Sequence, residues 1–346
     1  MADQPITYRD SGVDIDTMNE AVLQMRDHVR QTYTPEVLTD IGSFGGIFAL
    51  DWKSYEDPVL VSSIDGVGTK LKVAIMAGKH DTVGTDLVNH CVNDILVQGA
   101  RPLFFMDYIA MGKLNASIVV DVVKGLANGC KTAGCALLGG ETAEMPGMYS
   151  EEDYDLAGCI VGVVDRNKIV DGSSIQAGDA VIGLASSGLH TNGFSLARKV
   201  LFEKAGLSVH STPDELNGKT IGDTLLQPHR CYAKAVLSLL EELPVKGMAH
   251  ITGGGFYDNI PRILPVDCSV TLDRRLWTPP AIFEMIQKLG NVPEPEMYRT
   301  FNMGIGYVLI MERAAALEAI ARLTTAGEVA GLIGEVHRGV HEVDII

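Results

Sequence analysis

The chain has 346 residues, more than one ordinary core needs, so two domains are expected. Its formal net charge is −16 and its longest basic cluster is only Asp273-Arg274-Arg275, which excludes nucleic acid and anionic membrane surfaces as partners. The six cysteines show no CxxC spacing, no apolar run approaches the ~18 residues of a membrane span, and the opening Met1-Ala2-Asp3-Gln4-Pro5 is no secretion leader; a cytoplasmic protein with free thiols is expected.

From residue 59 onward, apolar runs alternate with helical periods. Residues 59–64 read as a buried strand and 85–98 as a helix. Residues 103–111 read as a strand, 116–133 as a helix, 136–138 as a short strand and 155–164 as another strand. Residues 165–179 carry turn chemistry, Asp171-Gly172-Ser173-Ser174 and Ala177-Gly178-Asp179, and place a domain boundary there. This gives domains 1–170 and 171–346. The second half repeats the grammar, with strands at 180–185, 268–272 and 307–311 and helices at 194–205, 232–242 and 314–325. The class is mixed α/β.

No GxxxxGK[ST] phosphate loop is present, and Gly304-Ile305-Gly306 precedes a strand, so it is a poor dinucleotide fingerprint. A nicotinamide dehydrogenase is disfavoured. Four other stretches carry chemistry. Asp65-Gly66-Val67-Gly68-Thr69-Lys70 follows the first strand. Its glycines let backbone N–H groups approach phosphate, and Lys70 offers a cation; a plain strand-to-helix turn is the alternative. In the helix 85–98, Asp86, Asn89, His90, Asn93 and Asp94 share a face that lacks Lys, Arg and Glu. Asn and Asp are poor helix formers, so the face needs a reason. A hard cation is one; a domain or subunit interface with satisfied amides is the other. Gly139-Gly140-Glu141-Thr142 reads as a loop, with Glu141 as third carboxylate beside Asp65 and Asp94. Residues 186–195 form a donor-rich strand-to-helix loop that holds His190, a candidate acid/base. His229 and His250 offer no comparable setting in the sequence. Thr252-Gly253-Gly254-Gly255 suggests close backbone approach to a ligand, or a hinge.

Taken together these strings resemble the phosphoribosylformylglycinamidine cyclo-ligase (aminoimidazole ribonucleotide synthetase) family. The resemblance includes Tyr8-Arg9-Asp10-Ser11-Gly12-Val13-Asp14-Ile15, residues 65–70, Cys91-Val92-Asn93-Asp94, residues 139–149 and 186–195, Asn259-Ile260-Pro261-Arg262 and Met297-Tyr298-Arg299-Thr300-Phe301-Asn302. It departs at Ser63-Ile64, where the family often has Gly-Thr, and at Asn89-His90, where it often has Ala-Met; His90 is therefore left out of the catalytic set. The resemblance implies a two-domain ATP-binding fold whose first domains pair into a dimeric β-barrel. The implied reaction is ATP-dependent closure of formylglycinamidine ribonucleotide to aminoimidazole ribonucleotide. With the loops above it assigns catalysis to His190 and Asp94, and Mg²⁺ to Asp65, Asp94 and Glu141. ATP falls to Asp65, Gly66, Gly68, Thr69, Lys70, Asn93, Gly139, Gly140, Glu141 and Thr142. The purine intermediate falls to Ser187, Gly188, Thr191, Asn192, Gly253 and Gly254. A nucleotide-sensing protein without turnover is the competing class.

Overall fold

Two sheets divide the chain between them. The computed structural model describes residues 6–346; the opening residues 1–5, read above as no secretion leader, lie outside the described residues. The first sheet contains β1 (Pro58–Gly66), β2 (Arg101–Met111), β3 (Ala136–Glu144) and β4 (Tyr154–Asp165), in the order β1-β4-β2-β3. Strand β4 is antiparallel to β1 and β2, whereas β2 and β3 are parallel. A parallel pair needs a crossover, and helix α4 (Ala116–Ala133) supplies it. Asn115 caps that helix by accepting from the Ser117 and Ile118 N–H groups, and Gly134 ends it in the left-handed conformation.

Strand β3 runs on to Glu144, so Gly139-Gly140-Glu141-Thr142 is strand and not loop. Pairing with Met106–Tyr108 and Ile109 of β2 satisfies a backbone whose glycines resemble a turn.

Helices α1 (Ile15–Arg30), α3 (Val83–Leu96) and α4 cover one face of this sheet; α2 (Lys70–Ala77) leads from β1 toward α3. The apolar stripe of α3, Leu87, Val88, Cys91, Val92, Ile95 and Leu96, is fully buried there. At about 1.5–3 kcal/mol for each large apolar side chain, this stripe fixes which face of α3 looks inward. Helices α3 and α4 meet almost backbone to backbone: a Cβ on Gly125 would stand 3.2 Å from the Gly84 Cα. Among the described residues the other face of the sheet is largely bare, apart from Phe48 against Phe104. Leu60, Ile64, Met106 and Tyr108 all point from it into the open.

The second sheet contains β5 (Ala180–Ala185), β6 (Val245–His250), β7 (Cys268–Leu272), β8 (Ile305–Met311), β9 (Ala330–Arg338) and β10 (Val343–Ile345), in the order β10-β7-β9-β5-β8-β6. It is antiparallel except for β10 on β7. Every residue of β8 is buried, as its unbroken apolar run Ile305–Met311 requires. The helix expected over 194–205 is an α-turn, Phe194–Arg198, that widens into a π-turn, Lys199–Lys204. Among the described residues, no helix is long and apolar enough to cross a membrane. All six cysteines are free.

Candidate active site

The polar face of α3 is split between two tasks. Its inner part is glue between the sheets. Asn89 donates from Nδ2 to the His229 carbonyl at 2.6 Å, and Asn93 donates from Nδ2 to the Arg230 carbonyl at 2.8 Å while its Oδ1 accepts from the Tyr232 N–H. Asp86 accepts from the His229 N–H at 2.7 Å and faces the Lys70 ammonium at 2.8 Å. Lys70 and Asp86 are both fully buried. Lys70 also donates to the carbonyls of His190 and Gln227. Burial pulls Lys70 below its ordinary pKa and pushes Asp86 above it; each charge is kept by the other.

The outer part of the same face, His90 and Asp94, opens on a cleft between the domains. The cleft has a volume of about 740 Å³ and is lined from the first domain by Ser63, Asp65, Gly66, Gly68, His90 and Asp94. From the second come Thr191, Asn192, His250, Thr252, Gly253, Asn259 and Arg262. Arg262 is the sole Lys or Arg among the lining residues.

A chain of hydrogen bonds begins and ends on the two cleft carboxylates. His90 Nε2 lies 2.8 Å from Asp65 Oδ2, and His90 Nδ1 lies 2.7 Å from Thr191 Oγ1. Thr191 Oγ1 is 3.3 Å from His229 Nδ1, His229 Nε2 is 2.9 Å from His250 Nε2, and His250 Nδ1 is 2.8 Å from Asp94 Oδ1. Each of these five links needs one proton. The threonine brings one and three neutral imidazoles bring three, so one imidazole must be doubly protonated while both aspartates are ionised. The surroundings choose His90. Burial works against its charge, but the Asp65 hydrogen bond and the Asp94 and Asp65 charges outweigh burial and raise its pKa. Burial drives His229 well down and His250 down, the latter against the pull of Asp94. The directions follow: Thr191 donates to His229 Nδ1, His229 Nε2–H donates to His250, and His250 Nδ1–H donates to Asp94. Asp65 and Asp94 both stay below the ordinary carboxylate range, their imidazole partners overcoming desolvation.

The structure places several of the expected site residues away from the cleft. Lys70 does not reach the cleft, because its ammonium is consumed by three buried oxygens. Asn93 is likewise an interdomain staple. Thr69 bonds through its hydroxyl to Ser195, 3.0 Å away, and does not line the cleft. Glu141, with Gly139, Gly140 and Thr142, sits on β3 at the far edge of the sheet from Asp65 on β1. Asp65 is in register with Gly158, Gly158 with Asp107, and Asp107 with Gly140, so three strand spacings, roughly 14 Å, separate the two carboxylates. One chain alone does not assemble the expected three-carboxylate set.

His190 lies one layer behind the cleft wall. It is buried, stacked on His229 at a centroid distance of 4.0 Å, and its Nε2 accepts from the Ser187 N–H. Its Nδ1 has no partner, and burial holds its pKa well down. Its φ of 61° is a left-handed conformation that costs about 1–3 kcal/mol for a side-chain residue; the Lys70 bond to its carbonyl helps hold it. Ser187 donates its hydroxyl to the Pro228 carbonyl, and the Gly188 carbonyl accepts from Asn302. Neither lines the cleft, nor does Gly254, which starts the short helix Gly255–Asn259. Asp65, Gly66, Gly68, Asp94, Thr191, Asn192 and Gly253 do. Sequence reading weighed His90 and left it out of the catalytic set, and it gave no role to His229, His250 or Arg262. His250 ends β6 and His229 sits in an irregular segment, so no periodic signal pointed to either.

Comparison with known proteins gives the family of the chain. The model of the AIR synthase related protein N-terminal domain matches residues 49–164, and that of the C-terminal domain matches residues 176–346. The phosphoribosylformylglycinamidine cyclo-ligase of Syntrophotalea carbinolica is 55% identical over 99% of this chain and 98% of its own length. That of Geobacter metallireducens is 54% identical over 100% of both. This chain belongs to the phosphoribosylformylglycinamidine cyclo-ligase family. The same fold recurs at low identity. A hydrogenase maturation protein HypE in complex with ATP superposes with a TM-score of 0.68 at 17% identity, covering 97% of this chain and 92% of that one. Thiamine-monophosphate kinase from Stenotrophomonas maltophilia superposes with a TM-score of 0.68 at 15% identity, over 94% and 95%. The cyclo-ligase architecture is therefore a two-domain α/β fold, with the cleft where its two family domains meet.

Proposed function

We propose that this cleft binds ATP and formylglycinamidine ribonucleotide and closes the imidazole ring, giving aminoimidazole ribonucleotide, ADP and phosphate. The observation that carries the reading is the pair Asp65 and Asp94, held by histidines at the mouth of an interdomain cleft, in a chain over half identical to cyclo-ligases. An amide oxygen is a poor leaving group. Transfer of the terminal phosphoryl group to the formyl oxygen makes it a good one; the substrate's amidine nitrogen then bonds to that carbon, phosphate departs with the oxygen, and the nitrogen loses its proton. The enzyme's task is placement and charge control.

Magnesium fits the oxygens available. Asp65 and Asp94 are both ionised and partly open to the cleft, with side chains 43% and 28% exposed. They would hold Mg²⁺ on the ATP phosphates, and the ion would neutralise phosphate charge. Arg262 is placed to take a further phosphate group. Gly66, Gly68 and Gly253 offer backbone to the phosphates, and Thr191 and Asn192 offer polar side chains to the substrate. His190 supports His229 from behind and acts as a positioning residue. The domains are taken as 1–170 and 171–346.

The bare face of the first sheet supports a homodimer. Leu60, Ile64, Met106 and Tyr108 are exposed on it, and its edge strands β1 and β3 are unpaired, a liability that closure with a second copy removes. A rotation that sets β1 beside β3 of the second copy also brings Glu141 of the partner subunit toward Asp65, restoring a third carboxylate. Pairing of like edges would leave Glu141 remote. Light scattering should report twice the chain mass, and a fully active monomer would refute the closure.

The functional test is a coupled assay of ADP release. Release should require formylglycinamidine ribonucleotide. ATP binding without turnover would turn the protein into a nucleotide sensor.

A further inference from the structure

We propose that His90 Nε2, His250 Nδ1 and Asp94 form a binding site for a divalent first-row transition ion, a mixed nitrogen–oxygen site that differs from an all-oxygen magnesium site. It takes its place in the cleft from the functional reading above, but the binding itself is independent of nucleotide and reaction.

Geometry carries the case. One ligand atom each from His90, Asp94 and His250 lies within 4.8 Å of the others. His250 Nδ1 is 2.8 Å from Asp94 Oδ1, and His90 Nε2 is 2.8 Å from Asp65 Oδ2 and 3.7 Å from Asp94 Oδ2. Ligands at about 2.1 Å from a tetrahedral ion lie about 3.4 Å apart, so small shifts of these three side chains admit the ion between them, with its fourth position open toward the cleft. Asp65 and Asp94 reach the open cleft, which gives an entry path.

The surroundings of the imidazoles are the second, independent observation. A metal-binding histidine commonly donates its other ring N–H to a fixed partner, which sets the tautomer and aims the lone pair. His90 turns its opposite nitrogen, Nδ1, to Thr191 Oγ1 at 2.7 Å. His250 turns its opposite nitrogen, Nε2, to His229 Nε2 at 2.9 Å. With an ion in place, His250 Nε2–H donates to His229 Nε2, and His229 Nδ1–H donates to Thr191. Thr191 Oγ1 has two lone pairs and accepts from both His90 and His229. No buried nitrogen of these three histidines loses its partner. Two imidazoles and a carboxylate suit Zn²⁺, Co²⁺ or Mn²⁺, whereas Mg²⁺ favours oxygen alone.

The test uses full-length protein stripped of metal, without nucleotide, titrated with Co²⁺ and followed by visible absorption. One Co²⁺ per chain is expected, with a ligand-field spectrum that a modest excess of Mg²⁺ does not erase. His90→Gln should weaken binding by at least the roughly 10–100-fold typical of losing an outer-shell partner, and Thr191→Val by about that factor. Wild-type protein gives a second readout that requires no variant to fold: two hyperfine-shifted, exchangeable imidazole N–H resonances with Co²⁺ bound. Absence of the spectrum, its loss to equimolar Mg²⁺, its persistence in folded His90→Gln, or fewer than two such resonances would overturn the proposal. Ring closure with Mg²⁺-ATP is assayed separately. An inactive protein that binds Co²⁺ as described overturns only the functional reading.

Discussion

Lys70 separates the sequence's account of this protein from the structure's. In the sequence it is a phosphate-binding cation; in the fold its ammonium is fully buried against Asp86, the His190 carbonyl and the Gln227 carbonyl. Lys70→Met keeps much of the side-chain volume and removes the charge. Asp86 is then left with the His229 N–H and no counter-ion, and it takes up a proton. Against an unfolded pKa near 3.9, that protonation costs about 4 kcal/mol at pH 7 and about 1.5 kcal/mol at pH 5. Two abandoned carbonyls add a further ~1 kcal/mol each, so the loss at pH 7 reaches or slightly exceeds the ~3–5 kcal/mol usual for a broken buried pair. The sign is fixed: the variant's folded state binds one more proton than the native one, so its deficit shrinks as pH falls. Urea unfolding at pH 7 and pH 5 measures both numbers, and the deficit should drop by about 2.7 kcal/mol between them. An unfolding midpoint unchanged at pH 7, with a large loss of ATP affinity, would refute the staple and return Lys70 to the phosphates.

Three further outcomes follow from the cleft and its floor. Asp94→Asn still accepts the His250 Nδ1–H through its amide oxygen, so the melting temperature of the free protein should hold within the effect of about 1 kcal/mol; turnover should fall about 100-fold or more, with a raised Mg²⁺ requirement in a magnesium titration of the rate. Arg262→Ala removes the cleft's lone guanidinium and should raise KM for a phosphate-bearing substrate about 10–100-fold, as steady-state kinetics would show, while unchanged KM would place the phosphates elsewhere. Asp107 has a carboxyl that burial pushes up to about 7, with no ion pair to offset it. A raised carboxyl pKa means folding stability is lost as pH rises from about 4 through 7, so Asp107→Asn should stabilise by about 1–2 kcal/mol at pH 8, after allowance for partial exposure, and by almost nothing at pH 4. Thermal melts at the two pH values decide it.

What the sequence disclosed followed periodicity. Residues 59–64, 103–111, 116–133, 180–185 and 268–272 each gave the right element because one face, or both, is apolar at the right spacing. Strand β6 was missed because Lys246 and His250 interrupt its run, and β9 because Glu335, His337 and Arg338 do. The site was harder to see, since its parts lie far apart along the chain. His90 and His250 are 160 positions apart in number, and only the packing of α3 against β6 and residues 227–232 brings them, with His229, around Thr191. The absence of Lys and Glu from the polar face of α3 did carry information, but it admitted two causes. The structure shows the interface acting on one part of the face and turns the other part to the cleft, on successive turns of one helix. Asp86, Asn89 and Asn93 face the other domain, where each amide or carboxylate finds a backbone partner. His90 and Asp94, rotated toward the sheet edge, meet the cleft. A helix face built from Asn, Asp and His is what both jobs require: short side chains that satisfy fixed partners without the entropy of long ones. The same economy ties the site to the fold. The interdomain staples that hold α3 against the second sheet also set the distance between Asp94 and His250, so a substitution at Asn93 that loosens the domains should disturb the cleft before it unfolds the chain.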